Sequence, residues 1–108
     1  MQANEYQEWS AKTAIYPKDE GLVYVALGLT GEAGEVANVV KKMIRDDNGF
    51  LLQEKHDKLT AELGDVMWYL ARMCAELGTT LEDVMQQNHD KLEDRLARNV
   101  IKGSGDNR

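Results

Sequence analysis

Residues 22–43 read LVYVALGLTGEAGEVANVVKKM, and their apolar side chains recur at steps of three and four. Such spacing places the apolar side chains on one face of an α-helix. They are Leu22, Val25, Leu29, Val36, Val39 and Met43. The pattern predicts a long, partly buried helix over about residues 20–45. Position 32 falls on the same stripe but holds a glutamate, and an isolated buried charge would be costly there.

Two of the remaining helices are predicted on either side of this one. A first helix over about residues 4–15 has Asn4 as its candidate N-cap and ends before Pro17. A third helix over about residues 53–76 follows an Asp-Asp-Asn-Gly turn and is stopped by Gly78. The apolar stripe of this third helix consists of Leu59, Leu63, Val66, Leu70, Met73 and Leu77.

A capping box predicts the start of a fourth helix, which runs to about residue 98. Thr79 is its predicted cap, and Glu82 would reach back to it. No segment alternates with period two, so the fold class is all-α. We expect one four-helix, bundle-like domain over residues 1–102. Residues 103–108 are a polar tail whose composition favours disorder, with folding over the functional site as the alternative.

Charge and composition restrict the partners of the chain. Its 108 residues include 19 acidic and 13 basic ones, for a formal net charge of −6. This charge disfavours nonspecific binding to nucleic acid or to an anionic membrane. No apolar run approaches the roughly 20 residues of a membrane span, and the N-terminus lacks the features of a signal peptide. With Cys74 as its lone cysteine, the chain is expected in the cytoplasm.

Two pairs of acidic residues with the same spacing indicate a metal site. Glu32 and Glu35 are neighbours on the second helix, and Glu62 and Asp65 are neighbours on the third. In an antiparallel hairpin that turns near residue 46, the two pairs lie at comparable heights. Their four carboxylates can then converge. Such hard oxygen ligands favour Mg²⁺, or alternatively Mn²⁺, over zinc.

Carboxylates on a helix usually only face solvent, but the glycines beside these acids favour a metal or ligand site. Glycine within a helix costs about 1 kcal/mol relative to alanine, and glycine occupies positions 28, 31, 34 and 64. Close helix packing or room for a ligand would explain them. A di-iron carboxylate bundle is disfavoured because it uses an E-x-x-H motif, which is absent here.

The acidic motifs lie in LTGEAGEV at residues 29–36 and ELGDVMWYL at residues 62–70. These segments resemble the MazG-like members of the all-α nucleoside triphosphate pyrophosphohydrolases, whose pattern is E-x-x-E, a variable gap and then E-x-x-D. The resemblance covers most of the chain. It extends to residues 7–9 and 13–17 near the N-terminus, and to residues 88–92 with Arg95 on the fourth helix.

The resemblance implies Mg²⁺-dependent cleavage between the α and β phosphates of a (deoxy)nucleoside triphosphate, with a house-cleaning role in the nucleotide pool. The products would be a nucleoside monophosphate and pyrophosphate. The implied metal ligands are Glu32, Glu35, Glu62 and Asp65. Glu32 and Glu35 are also the implied catalytic carboxylates, and Glu35 would orient or deprotonate the attacking water.

The resemblance also implies substrate contacts on the fourth helix. Asn88 would contact the phosphates or the sugar, and Lys91 and Arg95 would neutralise phosphate charge. Leu96-Ala97 follows Arg95 where Arg-Tyr-Pro is common among relatives, so the role of Arg95 is the least secure of the three.

Three other residues are candidates for nucleotide contact. Tyr69 lies one turn after Asp65, and Trp9 comes from a separate element. Either aromatic ring could stack on a base, whereas Tyr16 and Trp68, whose rings could also stack, are expected in the core. Lys42 follows the E-x-x-E motif and could meet the triphosphate, although cations near a helix C-terminus also complement the helix dipole.

The short chain favours packing shared with other copies, as a homodimer or homotetramer with the active site near a subunit interface. Two other functions stay open. One is phosphoribosyl-ATP pyrophosphohydrolysis, from the same superfamily. The other is a non-catalytic helical interaction module. Purine and pyrimidine specificity depends on pocket shape, so both kinds of base stay open as well.

Overall fold

The computed structural model describes residues 1–108 and contains four α-helices and no strand. The helices are α1 (Ala3–Ser10), α2 (Gly21–Asp46), α3 (Gln53–Glu76) and α4 (Leu81–Ala97). Two short 3₁₀ turns, Ala11–Thr13 and Lys18–Glu20, lie between α1 and α2. The all-α prediction is confirmed, and the bounds of α3 agree with the sequence pattern. None of the helices is both long and apolar enough to cross a membrane.

Helices α2 and α3 form the antiparallel hairpin that carries the acidic motifs. The close approach of Gly21 to Glu76, and of Gly28 to Tyr69, shows that residue numbers rise along α2 as they fall along α3. The turn between the helices is made by Asn48 and Gly49, which both have positive φ. Left-handed backbone of this kind is tolerated by glycine and asparagine, which explains the predicted break at this position.

The buried core of the single chain is small and lies at one end of the hairpin. Val25 is fully buried, together with Ala14 and Tyr16, under partly buried aromatic residues of α3. A second cluster joins Ala71 and Cys74 of α3 to Leu81 at the start of α4. The core therefore fixes α1 and the start of α4 against α3, and leaves most of α4 without such packing.

Side chains of α1 hold the loop that precedes α4. The Gln7 amide donates to the Thr79 carbonyl oxygen at 2.9 Å and accepts from the Leu81 backbone N–H at 2.7 Å. Asn4 accepts from the backbone N–H of Glu82, so the prediction that Asn4 caps α1 is wrong. The predicted capping residue of α4 is also displaced by one position. Thr80, rather than Thr79, caps α4 by accepting from the Asp83 N–H at 3.1 Å.

The apolar stripe predicted for α3 is only partly buried. Leu63 and Leu77 are more than half exposed, and Leu70 is 39% exposed. The row that faces α2 is instead the adjacent one, which contains Glu62, Val66, Tyr69 and Met73. On α4, Leu92 and Leu96 are also exposed. One chain therefore leaves several long apolar rows in contact with water.

The polar C-terminal tail folds back on the end of α4. Arg95 donates to the backbone oxygen of Asp106 at 2.7 Å, and Arg108 donates to the Val100 carbonyl at 3.0 Å. Backbone carbonyls and α4 side chains thus provide this segment with hydrogen-bond partners that composition does not reveal.

Candidate functional site

Three of the four predicted metal ligands meet between α2 and α3. Carboxylate oxygens of Glu32, Glu62 and Asp65 all lie within 4.8 Å of one another. Glu35 lies outside this distance and is exposed, so the structure brings together three of the four predicted ligands, and the role of Glu35 stays a prediction. Residues three apart are rotated by about 60° around a helix. On α3, both residues of the pair still reach the cluster, whereas on α2 only Glu32 does and Glu35 is exposed, so the orientation of each helix about its axis decides the outcome.

The cluster has an excess of negative charge. Partial burial, followed by the charges of Asp65 and Glu62, raises the pKa of Glu32 above its usual value. Glu35 adds a smaller contribution in the same direction, which shows that its charge reaches the cluster. Neither lysine nor arginine lines the cavity beside these acids. The carboxylates are therefore mutually repulsive until a cation joins them.

This cavity has a volume of about 350 Å³ and an aromatic wall. Thr13, Trp68 and Tyr69 line it together with Glu32 and Asp65. The indole N–H of Trp68 donates to the Thr13 hydroxyl at 2.7 Å, which orients the ring. The wall places flat apolar surfaces beside a cluster of acids, a combination of apolar and polar groups that is typical of ligand pockets.

The helix packing beneath the wall sets the position of Tyr69. A Cβ atom on Gly28 would overlap the Tyr69 ring, so only glycine allows this approach of α3 to α2. Trp68 meets Tyr69 edge to face at a centroid distance of 4.9 Å, and meets buried Tyr16 in the same way at 6.3 Å. Burial, followed by the nearby charges of Tyr24 and Glu32, raises the pKa of Tyr69.

The glycines beside the acids have two different roles. Gly28 permits the close contact described above, as one of the predicted explanations requires. Gly31, Gly34 and Gly64 have no atom within 4 Å of the position that a Cβ would take. The surface next to the carboxylates is therefore uncovered in the single chain and has room for a ligand or for another chain.

Two predicted substrate contacts lie away from the cavity. Trp9 is 44% exposed on α1 and packs against Tyr6 at a centroid distance of 6.0 Å. It does not line the carboxylate cavity. Lys42 is exposed near the end of α2, where its charge helps to lower the pKa of Asp46 after the larger effect of Arg45. That position agrees with a cation that complements the helix C-terminus.

The predicted contacts on α4 form a separate group. Asn88 and Lys91 line another cavity, of about 320 Å³, together with Val84, Gln87 and Asp106. Arg95 is buried and bonded to Asp106. No residue is shared with the wall of the carboxylate cavity. Within one chain, the structure brings Tyr69 to the acids but does not bring these three residues there.

Sequence reasoning missed one residue of the site and underrated another. Thr13 belongs to the 3₁₀ turn after α1, and no spacing rule links it to residues on α3. Trp68 was detectable, because it lies three residues after Asp65 and so on a neighbouring part of the helix surface. Core packing is the commoner role of such an aromatic residue, and Trp68 combines that role with lining the cavity.

The residues of the cluster fit a hard divalent cation. Three carboxylates provide oxygen ligands within one small volume, and Mg²⁺ and Mn²⁺ prefer oxygen ligands. No lysine or arginine lines the adjoining cavity to compensate the negative charge. Glu32, Glu62 and Asp65 are thus the residues that could hold a metal ion.

These features define a class of helical proteins with a candidate divalent-metal site. Two antiparallel helices hold an acidic cluster between them, and an aromatic cavity lies beside it. The sequence assigns the chain within this class. The family model described as the MazG nucleotide pyrophosphohydrolase domain matches residues 23–99, and the chain belongs to this family.

A relative is similar over the whole length of the chain. The chain is 52% identical over 114 aligned residues to the "Gene 37 protein" of Mycobacterium phage L5, and the alignment covers 100% of both chains. No solved structure matches the chain significantly. The family assignment therefore comes from sequence, and the geometry of the site comes from the structure described here.

Proposed function

We propose that this protein is a Mg²⁺-dependent nucleoside triphosphate pyrophosphohydrolase that cleaves between the α and β phosphates and serves nucleotide-pool house-cleaning. The observation that carries the proposal is the meeting of Glu32, Glu62 and Asp65 beside the aromatic cavity. The family assignment supports a nucleotide as the ligand. The cytoplasmic location expected from the sequence stays a prediction.

The three clustered carboxylates would hold Mg²⁺, which supplies compensation for the charge of the phosphates. Tyr69 and Trp68 provide the surface on which the base packs, and Thr13 fixes the Trp68 ring through their hydrogen bond. Glu35 is exposed beside the cluster and is not engaged in any ion pair. It is therefore free to orient the attacking water and accept its proton.

The proposal includes a second copy of the chain. Large exposed apolar patches mark interaction sites, and exposed leucines recur along α3 at Leu63, Leu70 and Leu77, with Leu92 exposed on α4. The uncovered glycines beside the acids leave space for an approaching helix. In such an assembly, α4 of one copy would lie close to the carboxylates of its partner. A nucleotide bound there would have its phosphates in contact with Asn88, Lys91 and Arg95.

The first experiment is a panel of ribo- and deoxynucleoside triphosphates with Mg²⁺, in which pyrophosphate and orthophosphate are measured separately. We expect a nucleoside monophosphate and pyrophosphate from at least one nucleotide. Release of orthophosphate alone would contradict cleavage between the α and β phosphates. Folded protein that turns over no nucleotide in the presence of metal would favour the non-catalytic interaction module.

The second experiment tests Glu35. Loss of a general base typically reduces turnover by about 10²–10⁴-fold, so Glu35→Ala is expected to lose turnover in that range while circular dichroism and thermal unfolding stay unchanged. Glu54→Ala is the matched control, because Glu54 is an exposed glutamate of α3 that pairs only with Lys58. Equal activity of the two variants would remove Glu35 from the mechanism.

A further inference from the structure

The six C-terminal residues form a defined unit, which we call the C-terminal hook (residues 103–108). The Arg108 guanidinium returns along the chain and donates to the carbonyl oxygens of Val100 at 3.0 Å and Ile101 at 3.1 Å. Gly105 has a φ of 83°, a value that favours glycine and produces the reversal. These bonds hold the hook against the end of α4.

The hook places one carboxylate between two cations of α4. The same oxygen of Asp106, Oδ1, lies 2.9 Å from the Lys91 Nζ and 3.1 Å from a terminal nitrogen of Arg95. Hydrogen bonds from Lys91 and then Arg95 lower the pKa of Asp106, so this side chain is an anion at neutral pH. An ammonium and a guanidinium around one oxygen would hold a phosphate oxygen equally well.

The exposure of the three side chains indicates which of them can leave. The Arg95 side chain is only 6% exposed, whereas the Asp106 side chain is 77% exposed. Lys91 is intermediate, at 38%. Ion pairs with a water-exposed carboxylate contribute little free energy, so Asp106 can be exchanged for a more highly charged anion. The cations stay on α4 while the hook moves.

We propose that the C-terminal hook is an internal competitor of phosphate. In the ligand-free protein, Asp106 pairs with Lys91 and Arg95. A bound polyphosphate replaces Asp106 at these two cations and releases the hook. The identity of the natural ligand rests on the proposed function, in which these cations receive the phosphates of a nucleotide. The opposite role, a fixed Asp106 that positions the cations for phosphate, predicts the opposite effect of its removal.

The test uses inorganic tripolyphosphate with Mg²⁺, titrated into the full chain by isothermal calorimetry. Asp106→Asn is expected to bind tripolyphosphate about two- to fivefold more tightly than the unmodified chain, the factor that corresponds to the free energy of an exposed ion pair. Glu93→Gln is the control, since it removes one negative charge from the exposed surface of α4. Equal or weaker binding by Asp106→Asn would overturn the proposal.

Two further measurements separate competition from a general charge effect. Adding Lys91→Gln to Asp106→Asn should remove the gain in affinity, and a gain that persists without Lys91 would contradict the proposal. Hydrogen exchange in residues 99–108 should become faster when tripolyphosphate saturates the unmodified chain. A hook that stays in place would show unchanged or slower exchange, which would also contradict release.

The binding test and the proposed function can fail independently. A chain that behaves as expected with tripolyphosphate but hydrolyses no nucleotide would keep the competitor role and reject the pyrophosphohydrolase. A chain that hydrolyses nucleotides but shows no effect of Asp106→Asn would reject the competitor role alone. If neither the unmodified chain nor Asp106→Asn binds tripolyphosphate, there is no phosphate binding for the hook to compete with, and the proposal is wrong.

Discussion

Glu32 is the residue at which structure and function conflict. It occupies an apolar stripe of α2, yet its carboxylate meets those of Glu62 and Asp65. Its raised pKa means that the folded chain binds a proton at Glu32 more tightly than the unfolded chain does. The ionised carboxylate therefore lowers stability above the folded pKa, and this loss is relieved as the pH falls through that pKa.

We expect Glu32→Gln to stabilise the metal-free protein at neutral pH by roughly 2–4 °C, a modest shift for a domain of this size because the site is partly open to water. The difference should shrink as the pH is lowered. Mg²⁺ or Mn²⁺ should raise the melting temperature of the unmodified chain and raise that of the variant less. Thermal unfolding with and without metal checks both effects; an unchanged response to metal would remove Glu32 from the ligand set.

Gly28 and Tyr69 are a second pair that acts at the residue scale. Gly28→Ala forces the added methyl group into the Tyr69 ring, and overpacking of this kind costs about 1–3 kcal/mol. In a Tyr69→Ala background the ring is absent, so the same change should instead stabilise α2 by up to about 1 kcal/mol. Urea unfolding of the four chains measures this reversal of sign. Equal effects in both backgrounds would show that the two residues are not coupled.

At the scale of elements, the start of α4 shows how one short loop is specified. Gly78 has a φ of 71° and follows the end of α3, after which Thr80 caps α4. Gln7 of α1 bonds to both sides of this cap. The loop is therefore fixed by local residues and by one side chain from the other end of the sequence, and it sets the direction in which α4 leaves the hairpin.

Thr80→Ala should destabilise the protein by about 1 kcal/mol, because it removes the hydroxyl that accepts from the Asp83 N–H. Thr79→Ala is the matched control, since the backbone N–H and carbonyl oxygen of Thr79 are bonded to Cys74 and Gln7, whereas its hydroxyl has no hydrogen-bond partner in the loop. Denaturant unfolding of both variants compares the costs. A larger loss from Thr79→Ala would support the cap position predicted from the sequence and contradict the one in the structure.

At the scale of the whole molecule, a single chain leaves much apolar surface uncovered. Its buried core is small, and long apolar side chains of α3 and α4 face solvent. A groove of about 660 Å³ bounded mainly by apolar residues opens between α1, α3 and α4, where Tyr6, Met67, Leu70 and Met85 meet. The carboxylate cavity and the cations of α4 also lie apart. A second copy would cover the apolar side chains and would bring the cations of one chain to the carboxylates of the other.

We expect the unmodified chain to be a dimer or tetramer at micromolar concentration, and the double variant Leu63→Glu, Leu70→Glu to be monomeric and without nucleotide turnover. Two charges buried in an apolar interface would cost more than the contacts they replace. Thr60→Glu adds a charge to an exposed polar position of the same helix and should not alter the assembly. Sedimentation velocity gives the outcome, and a monomeric unmodified chain would contradict the proposed assembly.

The sequence by itself determined helices α2 and α3 and the acidic motifs, whereas α1 was predicted to reach residue 15 and ends at Ser10. Period-3.6 apolar spacing places α2 and α3 to within one residue at each end, because one helix face must leave water. The breaks at Gly49 and Gly78 are equally local, since they depend on left-handed backbone. The family was also predicted from the sequence motifs alone, and the match to the family model confirms it.

Only the tertiary structure decided which side chains meet. The rotation of α2 brings Glu32 into the cluster and leaves Glu35 outside it, and the packing of α1 brings Thr13 to Trp68. The C-terminal hook depends on carbonyl oxygens and α4 cations that composition does not reveal. Periodicity specifies how a helix divides its residues between faces, but the contact between two faces depends on relative rotation and on distant segments, which the spacing within one segment does not contain.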